Sequence, residues 1–285
     1  MYTIKQKAYA KINLWLNIGS KTVDNYHCIE SIMHEVSIYD EIEISYIKRG
    51  IYIQEDTNSI PINKNNTAYK AAELFFSKFN INDGIKIKIK KNIPIGAGLA
   101  GGSTDAATIL KGLCAVYKKD INDAKILKIA RQIGSDVPFF LKGGTCLVTG
   151  TGEKIEKIET DMVLVFIIIK PDFSILTKWA YDEFDRIGKK NDKCYNNLLK
   201  GIKIRDKKEV FLNMYNSFEE IIAMSKPDIF NIKKELELNG AIASMMSGSG
   251  SSVFGIFENN KKAETTAELL REKRANWHVL TAKSV

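Results

Sequence analysis

Apolar residues recur at every second position near the start of the chain. Ala8, Ala10, Ile12, Leu14, Leu16 and Ile18 share one side, with Lys11 and Asn13 on the other. Period two predicts a half-buried strand. The turn-rich stretch Thr22-Val23-Asp24-Asn25 follows, and strand-like runs come next at 32–38 and 40–47. From Thr67 the period lengthens. Ala68, Ala71, Ala72, Phe75, Phe76 and Phe79 recur at three and four, which predicts an amphipathic helix behind the Asn-rich entry Asn65-Asn66. The alternation Ile85-Lys86-Ile87-Lys88-Ile89-Lys90 reads as another strand.

A second helix is expected after the glycine-rich stretch 94–105, with Ala106, Leu110, Leu113, Cys114 and Tyr117 on one face. A third covers about 123–133, with Ile126, Leu127, Ala130 and Ile133 inward, and Gly134-Ser135-Asp136-Val137-Pro138 closes it. Strands are expected at 145–149 and 163–169. Pro227 opens a helix and Asn239-Gly240 ends it, matching the preference for proline at helix starts and glycine past helix ends. Residues 243–257 read as strand, glycine turn, strand; a charged helix near 261–274 and a strand at 278–282 follow. Strands and helices mix without a strict βαβα repeat, so the fold class is α+β. The charged stretch 152–161 suggests a division into residues 1–155 and 156–285.

Composition narrows the function. The chain has 285 residues, 45% hydrophobic and 27% charged, which excludes disordered and collagen-like classes. Lys+Arg exceeds Asp+Glu by 42 − 34 = 8, favouring anionic partners. The lysines are scattered rather than clustered with aromatics, which reads as lysine-rich solvated faces and argues against a dedicated nucleic-acid patch. The four cysteines form no CxxC and only three histidines occur, so no zinc site is indicated and a reduced, cytoplasmic setting is expected. The longest apolar run, Met162 to Ile169, is well short of the ~20 residues of a membrane helix.

The strongest chemical signal is Pro94-Ile95-Gly96-Ala97-Gly98-Leu99-Ala100-Gly101-Gly102-Ser103-Thr104. Glycines let consecutive N–H groups converge on one point, and the positive end of a helix begins there. Ser103 and Thr104 add hydroxyls at or near the N-cap, suited to phosphate or hydrated Mg²⁺. A polyphosphate fits this loop; the competing reading is a tight strand–helix turn with glycines for packing. Neither GxxxxGK[ST] nor a dinucleotide fingerprint is present.

This loop closely resembles the phosphate loop of the GHMP kinases. Ala10-Lys11-Ile12-Asn13-Leu14, Gly134-Ser135-Asp136-Val137-Pro138 and Met246-Ser247-Gly248-Ser249-Gly250 resemble further motifs of that family, so the likeness covers nearly the whole chain. The motifs are most similar to those of members that phosphorylate the 2-hydroxyl of 4-diphosphocytidyl-2-C-methyl-D-erythritol in the non-mevalonate route to isoprenoids. The resemblance implies a two-domain α+β fold, with a ribosomal-protein-like N-terminal domain, a ferredoxin-like C-terminal domain and the site in the cleft between them. It implies ATP as phosphoryl donor, with Mg²⁺ held through the phosphates.

The same resemblance assigns the remaining residues. Asp136 becomes the general base, with Lys11 beside it and Asn13 touching substrate. Tyr26 and His27 hold a cytosine; the family's usual glycine before them is Asn25 here, which tolerates the left-handed region. Ser174, Thr177 and Tyr181 match a Ser-Ile-x-Thr segment and a second aromatic at the cytosine, with Trp179 competing for that place. Asn66 aligns with a residue near the adenine. Ser247, Gly248, Ser249 and Gly250 support the phosphate loop. Asn216-Ser217-Phe218-Glu219 departs from the family pattern at Ser217, where a changed local cap is expected. Read on their own, these residues have plainer meanings: Lys11 and Asn13 are solvated polar groups on an edge strand, Tyr26-His27 a surface aromatic and a lone histidine, Asp136 a helix cap, and 247–250 a flexible hairpin turn. Three other functions compete: another GHMP small-molecule kinase such as homoserine or mevalonate kinase, a basic RNA-binding protein, and a nucleotide sensor without turnover.

Overall fold

The computed structural model describes residues 3–187 and 193–285. In chain order the elements are β1 (Thr3–Lys21), β2 (His27–Ile47), β3 (Ile51–Glu55), α1 (Thr67–Phe79), β4 (Gly84–Lys90), α2 (Gly101–Val116), α3 (Ala124–Ile133), α4 (Val137–Lys142), β5 (Thr145–Gly150) and β6 (Lys154–Lys157). There follow β7 (Val165–Pro171), α5 (Thr177–Ile187), α6 (Asn196–Lys203), α7 (Lys207–Leu212), β8 (Tyr215–Asn216), α8 (Glu219–Ser225), α9 (Asp228–Leu238), β9 (Ala243–Met246), β10 (Val253–Phe257), α10 (Asn260–Lys273) and β11 (Trp277–Lys283). The class is α+β. The described residues fall into two compact units, each assembled from three stretches of chain: 3–10, 38–93 and 100–143 in the first, 11–37, 94–99 and 144–285 in the second.

In the first unit β4 runs antiparallel to residues 41–47 of β2, with Ile44 opposite Ile87, and parallel to β3. Ile85, Ile87 and Ile89 are fully buried while Lys86 and Lys90 are exposed, the alternation the sequence predicts. Each such isoleucine contributes roughly 1.5–3 kcal/mol of burial. The helix α1 starts where the Asn66 side chain accepts from the Ala68 amide at 2.8 Å, and it ends at Asn80 in the left-handed conformation. It packs on α2 and α3, and α4 packs on α2 and α3 as well. Surrounded in this way, α2 is buried from Thr104 to Leu110 rather than along the single face its spacing suggested.

The two runs expected at 32–38 and 40–47 are one strand. The sequence breaks their alternation at Asp40, which is wholly buried; its carboxylate accepts from the Asn92 and Ile93 amides, so the strand continues through it.

In the second unit β5 pairs antiparallel with residues 29–34 of β2 and with β6, and β8 runs parallel to β1 at Trp15 and Leu16. A separate antiparallel sheet has the order β11-β7-β10-β9. The helices α9 and α10 lie against it, and α8 packs on α9. Ile167, Ile169, Val253, Ile229, Ile232, Leu236 and Leu270 form part of one core there. Four helices between β7 and α9 (α5 to α8) had no counterpart in the sequence reading; α6, α7 and α8 run to eight residues or fewer, too few turns to show a period, while α5, at eleven residues, is as long as helices that were read and was missed.

Candidate active site

The predicted residues divide between the units, and the second unit brings together most of them. Lys11 and Asn13 are not solvated: they are 4% and 1% exposed. A buried ammonium needs polar partners. Lys11 Nζ donates to Asn13 Oδ1 at 2.6 Å, Asn13 Nδ2 donates to Ser31 Oγ at 2.8 Å, and Ser31 Oγ donates to the Trp15 carbonyl at 2.7 Å. Three consecutive bonds fix the rotamer of Asn13 and aim the lysine.

The Lys11 amide donates to the Leu99 carbonyl at 3.2 Å, which ties β1 to the end of the loop 94–99. Within that loop Gly96 and Gly98 have φ of +63° and +74°. A Cβ at Gly98 would collide with the Ser247 and Gly250 carbonyls, so both the conformation and the space require glycine. Ser247 Oγ donates to the Gly98 carbonyl at 3.1 Å, and the Ser252 amide donates to the Ala97 carbonyl at 3.1 Å. The 247–250 segment is therefore no free hairpin; it is bonded to the loop. Gly248, at φ +58°, leaves room for Lys11: a Cβ there would lie 3.3 Å from the ammonium nitrogen and 3.4 Å from Asn13 Oδ1.

A second cluster surrounds His27. Asn25 has φ +62°, so the turn survives the loss of glycine as expected, closed by Thr22 N to Tyr26 O at 2.7 Å. Tyr26 is 69% exposed, its ring open to a ligand. The side chain of His27 is almost buried. Its Nδ1 faces the Gly19 carbonyl at 2.9 Å and its Nε2 lies 3.0 Å from Asp185 Oδ1, whose carboxylate also pairs with Lys21 at 2.6 Å. The Lys21 ammonium holds Asp185 below the usual carboxylate range. The ring of His27 stacks on Tyr181 (centroids 5.2 Å, planes 22° apart), and Phe218 meets Tyr181 edge-on at 5.0 Å. Tyr181 rather than Trp179 is thus the aromatic stacked on His27, although both pack on the core of the same unit. Thr177 Oγ1 is 3.1 Å from Ser249 Oγ, and Ser174 lies against Gly96.

The first unit carries the helix end. The N-cap of α2 is Ala100, in the left-handed conformation at φ +58°, and its carbonyl takes the Ser103 and Thr104 amides at 3.0 Å each. Ser103 and Thr104 therefore sit inside the first turn rather than at the cap, with Thr104 buried. The amides of Gly101 and Gly102 precede any intrahelical acceptor and face outward from the helix end. Thr67 Oγ1 donates to the Gly102 carbonyl at 2.6 Å, joining the starts of α1 and α2. Asn66 spends both amide atoms locally: Oδ1 caps α1 and Nδ2 donates to the Pro61 carbonyl at 2.7 Å.

Asp136 occupies the N-cap position of α4, as the plainer reading holds, yet its side chain makes no capping bond. Its backbone is helical (φ −87°, ψ −13°), whereas a capping side chain reaches the N2 or N3 amide from an extended backbone. The carboxylate is half-buried and left for other work. Among the described residues no group of three or more His, Cys, Asp or Glu side chains is placed to hold a metal ion. Nor is any helix among the described residues long and apolar enough to cross a membrane.

Comparison with known proteins now decides the family. Residues 66–144 match the model of the GHMP kinases N terminal domain, and residues 198–276 match that of the GHMP kinases C terminal domain. Over 272 residues the chain is 42% identical to a 4-diphosphocytidyl-2-C-methyl-D-erythritol kinase of Clostridium botulinum, covering 94% of this chain and 95% of the relative. The chain belongs to the GHMP kinase family. A Clostridium acetobutylicum protein of the same name is 41% identical over 259 residues, covering 90% of this chain and 92% of its own. A crystal structure of 4-(cytidine 5'-diphospho)-2C-methyl-D-erythritol kinase superposes with a TM-score of 0.84 at 28% identity, covering 98% of both chains. A homoserine kinase of Cytophaga hutchinsonii shares the fold at a TM-score of 0.78 and 19% identity, covering 99% of this chain and 94% of its own.

In this GHMP kinase two residues brace the second glycine segment in ways the sequence did not announce. Asn216 Nδ2 donates to the Met246 and Gly248 carbonyls at 2.7 and 2.8 Å, and Glu219 Oε2 accepts from the Met246 amide at 2.6 Å. Ser217 does not cap α8. It accepts from the Ile18 amide at 3.1 Å and donates to Asn17, pinning the segment to β1. The only sequence signal for these roles was the Asn-Ser-Phe-Glu spacing, where side chains two and three apart flank a turn.

Proposed function

We propose that this kinase transfers the γ-phosphoryl group of ATP to the 2-hydroxyl of 4-diphosphocytidyl-2-C-methyl-D-erythritol. The observation that carries the reading is 42% identity, over 94% of this chain, to a protein named as a kinase of that acceptor. The geometry of each unit agrees with it. The positive-φ glycines 96 and 98 and the open amides of Gly101 and Gly102 suit the phosphates of ATP, with Pro94, Ile95, Ala97, Leu99 and Ala100 completing the loop. Ser103, half-buried in the first helical turn, is the side chain of this loop suited to a hydrated Mg²⁺; Asp40 and Asp105 are already engaged by Lys91. When bound through the phosphates, Mg²⁺ supplies charge neutralisation at their oxygens. Asn66, its amide committed to capping, would line the adenine by shape.

In the chemical step Asp136 takes the proton of the accepting hydroxyl. Lys11, held by Asn13, stabilises the negative charge that develops. Positioning and electrostatics supply most of the acceleration in phosphoryl transfer, so few reactive side chains are required. The exposed ring of Tyr26 provides a flat apolar face with a polar edge, the chemistry a cytosine needs and homoserine or mevalonate does not, and the nearly buried His27, stacked on Tyr181, anchors the turn that carries it. We assign nucleotide binding to residues 1–155; the two family matches fall on either side of that boundary. A reduced, cytoplasmic setting is in keeping with four cysteines that form no disulfide among the described residues.

The test is ATP consumption by purified protein with Mg²⁺, with the cytidyl acceptor, homoserine and mevalonate offered separately. Turnover with the cytidyl acceptor alone is expected. Turnover with a control alone would reassign the acceptor pocket; none with any would overturn the reading.

A further inference from the structure

Three buried charged groups lie in the first unit beside the glycine-rich loop. Lys91 Nζ pairs with Asp40 Oδ2 and, at 2.8 Å, with Asp105 Oδ2. The three side chains are 0–7% exposed. Asp40 Oδ1 accepts from the Asn92 amide at 2.6 Å and the Ile93 amide at 2.8 Å. Asp105 stands in the second turn of α2. The loop 94–99 leaves Ile93 and re-enters at Ala100, so the cluster grips the chain on both sides of it. Gly101 adds an independent contact: a Cβ there would lie 3.2 Å from Lys91 Nζ and 3.2 Å from Ile93 Cγ2. The ammonium thus occupies the space that this glycine leaves open.

We propose that Asp40, Lys91 and Asp105 form a buried clamp that fixes both ends of the phosphate-binding loop and thereby sets nucleotide affinity. The three are positioning residues; none touches a reacting atom. The proposal rests on the reading that this loop binds ATP.

The energetics suit a positioning role better than a purely stabilising one. Two carboxylates share one ammonium in a dry site. Asp105 Oδ1 is buried with no hydrogen-bond partner, a cost with no local return. Burial pushes the Asp105 carboxyl up to about 7 against the pull of Lys91. Buried ionic groups of this kind are commonly no more stabilising than apolar residues of equal volume. What they add here is direction: each bond is charge-assisted, and those accepted by Asp40 hold the Asn92 and Ile93 amides.

The experiment compares D105A, D105N and K91Q with the unaltered protein. Binding of an unreactive ATP analogue with Mg²⁺ is measured by calorimetry, alongside amide exchange of the peptide spanning 94–101 without ligand. D105A cuts the link to α2 and should weaken analogue binding tenfold or more while speeding exchange in that peptide. D105N keeps an acceptor for Lys91 and should restore both to within about threefold. K91Q opens the clamp from its centre and decides the matter if D105A does not fold. With acceptor present, the KM for ATP should rise while kcat and the acceptor KM stay within about twofold. A folded D105A or K91Q with unchanged affinity and unchanged exchange overturns the clamp, even if its melting temperature falls. Failure of the unaltered protein to bind the analogue overturns the ATP reading, and the clamp's purpose with it. Binding by the unaltered protein with no effect of the variants overturns the clamp alone.

Discussion

Ser247 Oγ donates to the Gly98 carbonyl at 3.1 Å across 149 residues of sequence, joining the two glycine segments of the second unit. The bond is possible because Gly98 has no side chain. An alanine at φ +74° costs ~1–2 kcal/mol in backbone strain alone, before its clash with the Ser247 carbonyl. G98A should lower the melting temperature by several degrees and weaken binding of an ATP analogue at least tenfold. Calorimetry and a thermal melt on the same sample check both.

Asp136 sits at a cap position without capping. D136N should therefore leave the urea midpoint unchanged, since no cap bond is lost, while lowering turnover by ~10²-fold or more with ATP affinity nearly intact. Turnover that persists in the asparagine variant would remove Asp136 as the base.

Tyr181 supports His27 by stacking, an arrangement worth ~0.5–1.5 kcal/mol beyond area burial. Y181A should raise the KM for the cytidyl acceptor about three- to tenfold and leave the KM for ATP unchanged. Y181F keeps the ring and should behave as the unaltered protein. Steady-state kinetics with each substrate varied in turn separates the two constants.

His34 makes the second unit sensitive to acid. It is buried, with Nδ1 2.8 Å from Thr145 Oγ1 and Nε2 2.8 Å from Ser284 Oγ, and burial lowers its pKa to about 4 from 6.5. Between those values the unfolded chain binds a proton that the folded chain does not. Its contribution is therefore fully present above pH 6.5 and is lost progressively as pH falls towards 4, by about 3 kcal/mol in all. Urea unfolding at pH 7 and pH 4.5 should show a larger loss for the unaltered protein than for H34N, which cannot titrate there.

Local pattern carried much of the fold. The Ile/Lys alternation placed β4 and the three-and-four spacing placed α1, because period is a property of neighbouring residues. The short helices α6 to α8 escaped for the same reason: a helix of about two turns shows too little period to stand out. At the site, the loop 94–104 and the segment 247–250 were legible because glycine at such density has few structural uses. The bracing by Asn216 and Glu219 was not, since it depends on where Met246 and Gly248 end up.

Sequence by itself determined the α+β class, the glycine loops, the residue types available for chemistry and the family motifs. Tertiary structure alone decided that Lys11 and Asn13 are buried and bonded, that Tyr181 rather than Trp179 meets His27, and that the Asp136 carboxylate is released from capping. It also decided that Asp40, Lys91 and Asp105 converge in one buried cluster. Each of these depends on long-range approach and loss of water, and the strength of a polar contact is set by the dielectric and the partners around it, which no linear spacing records.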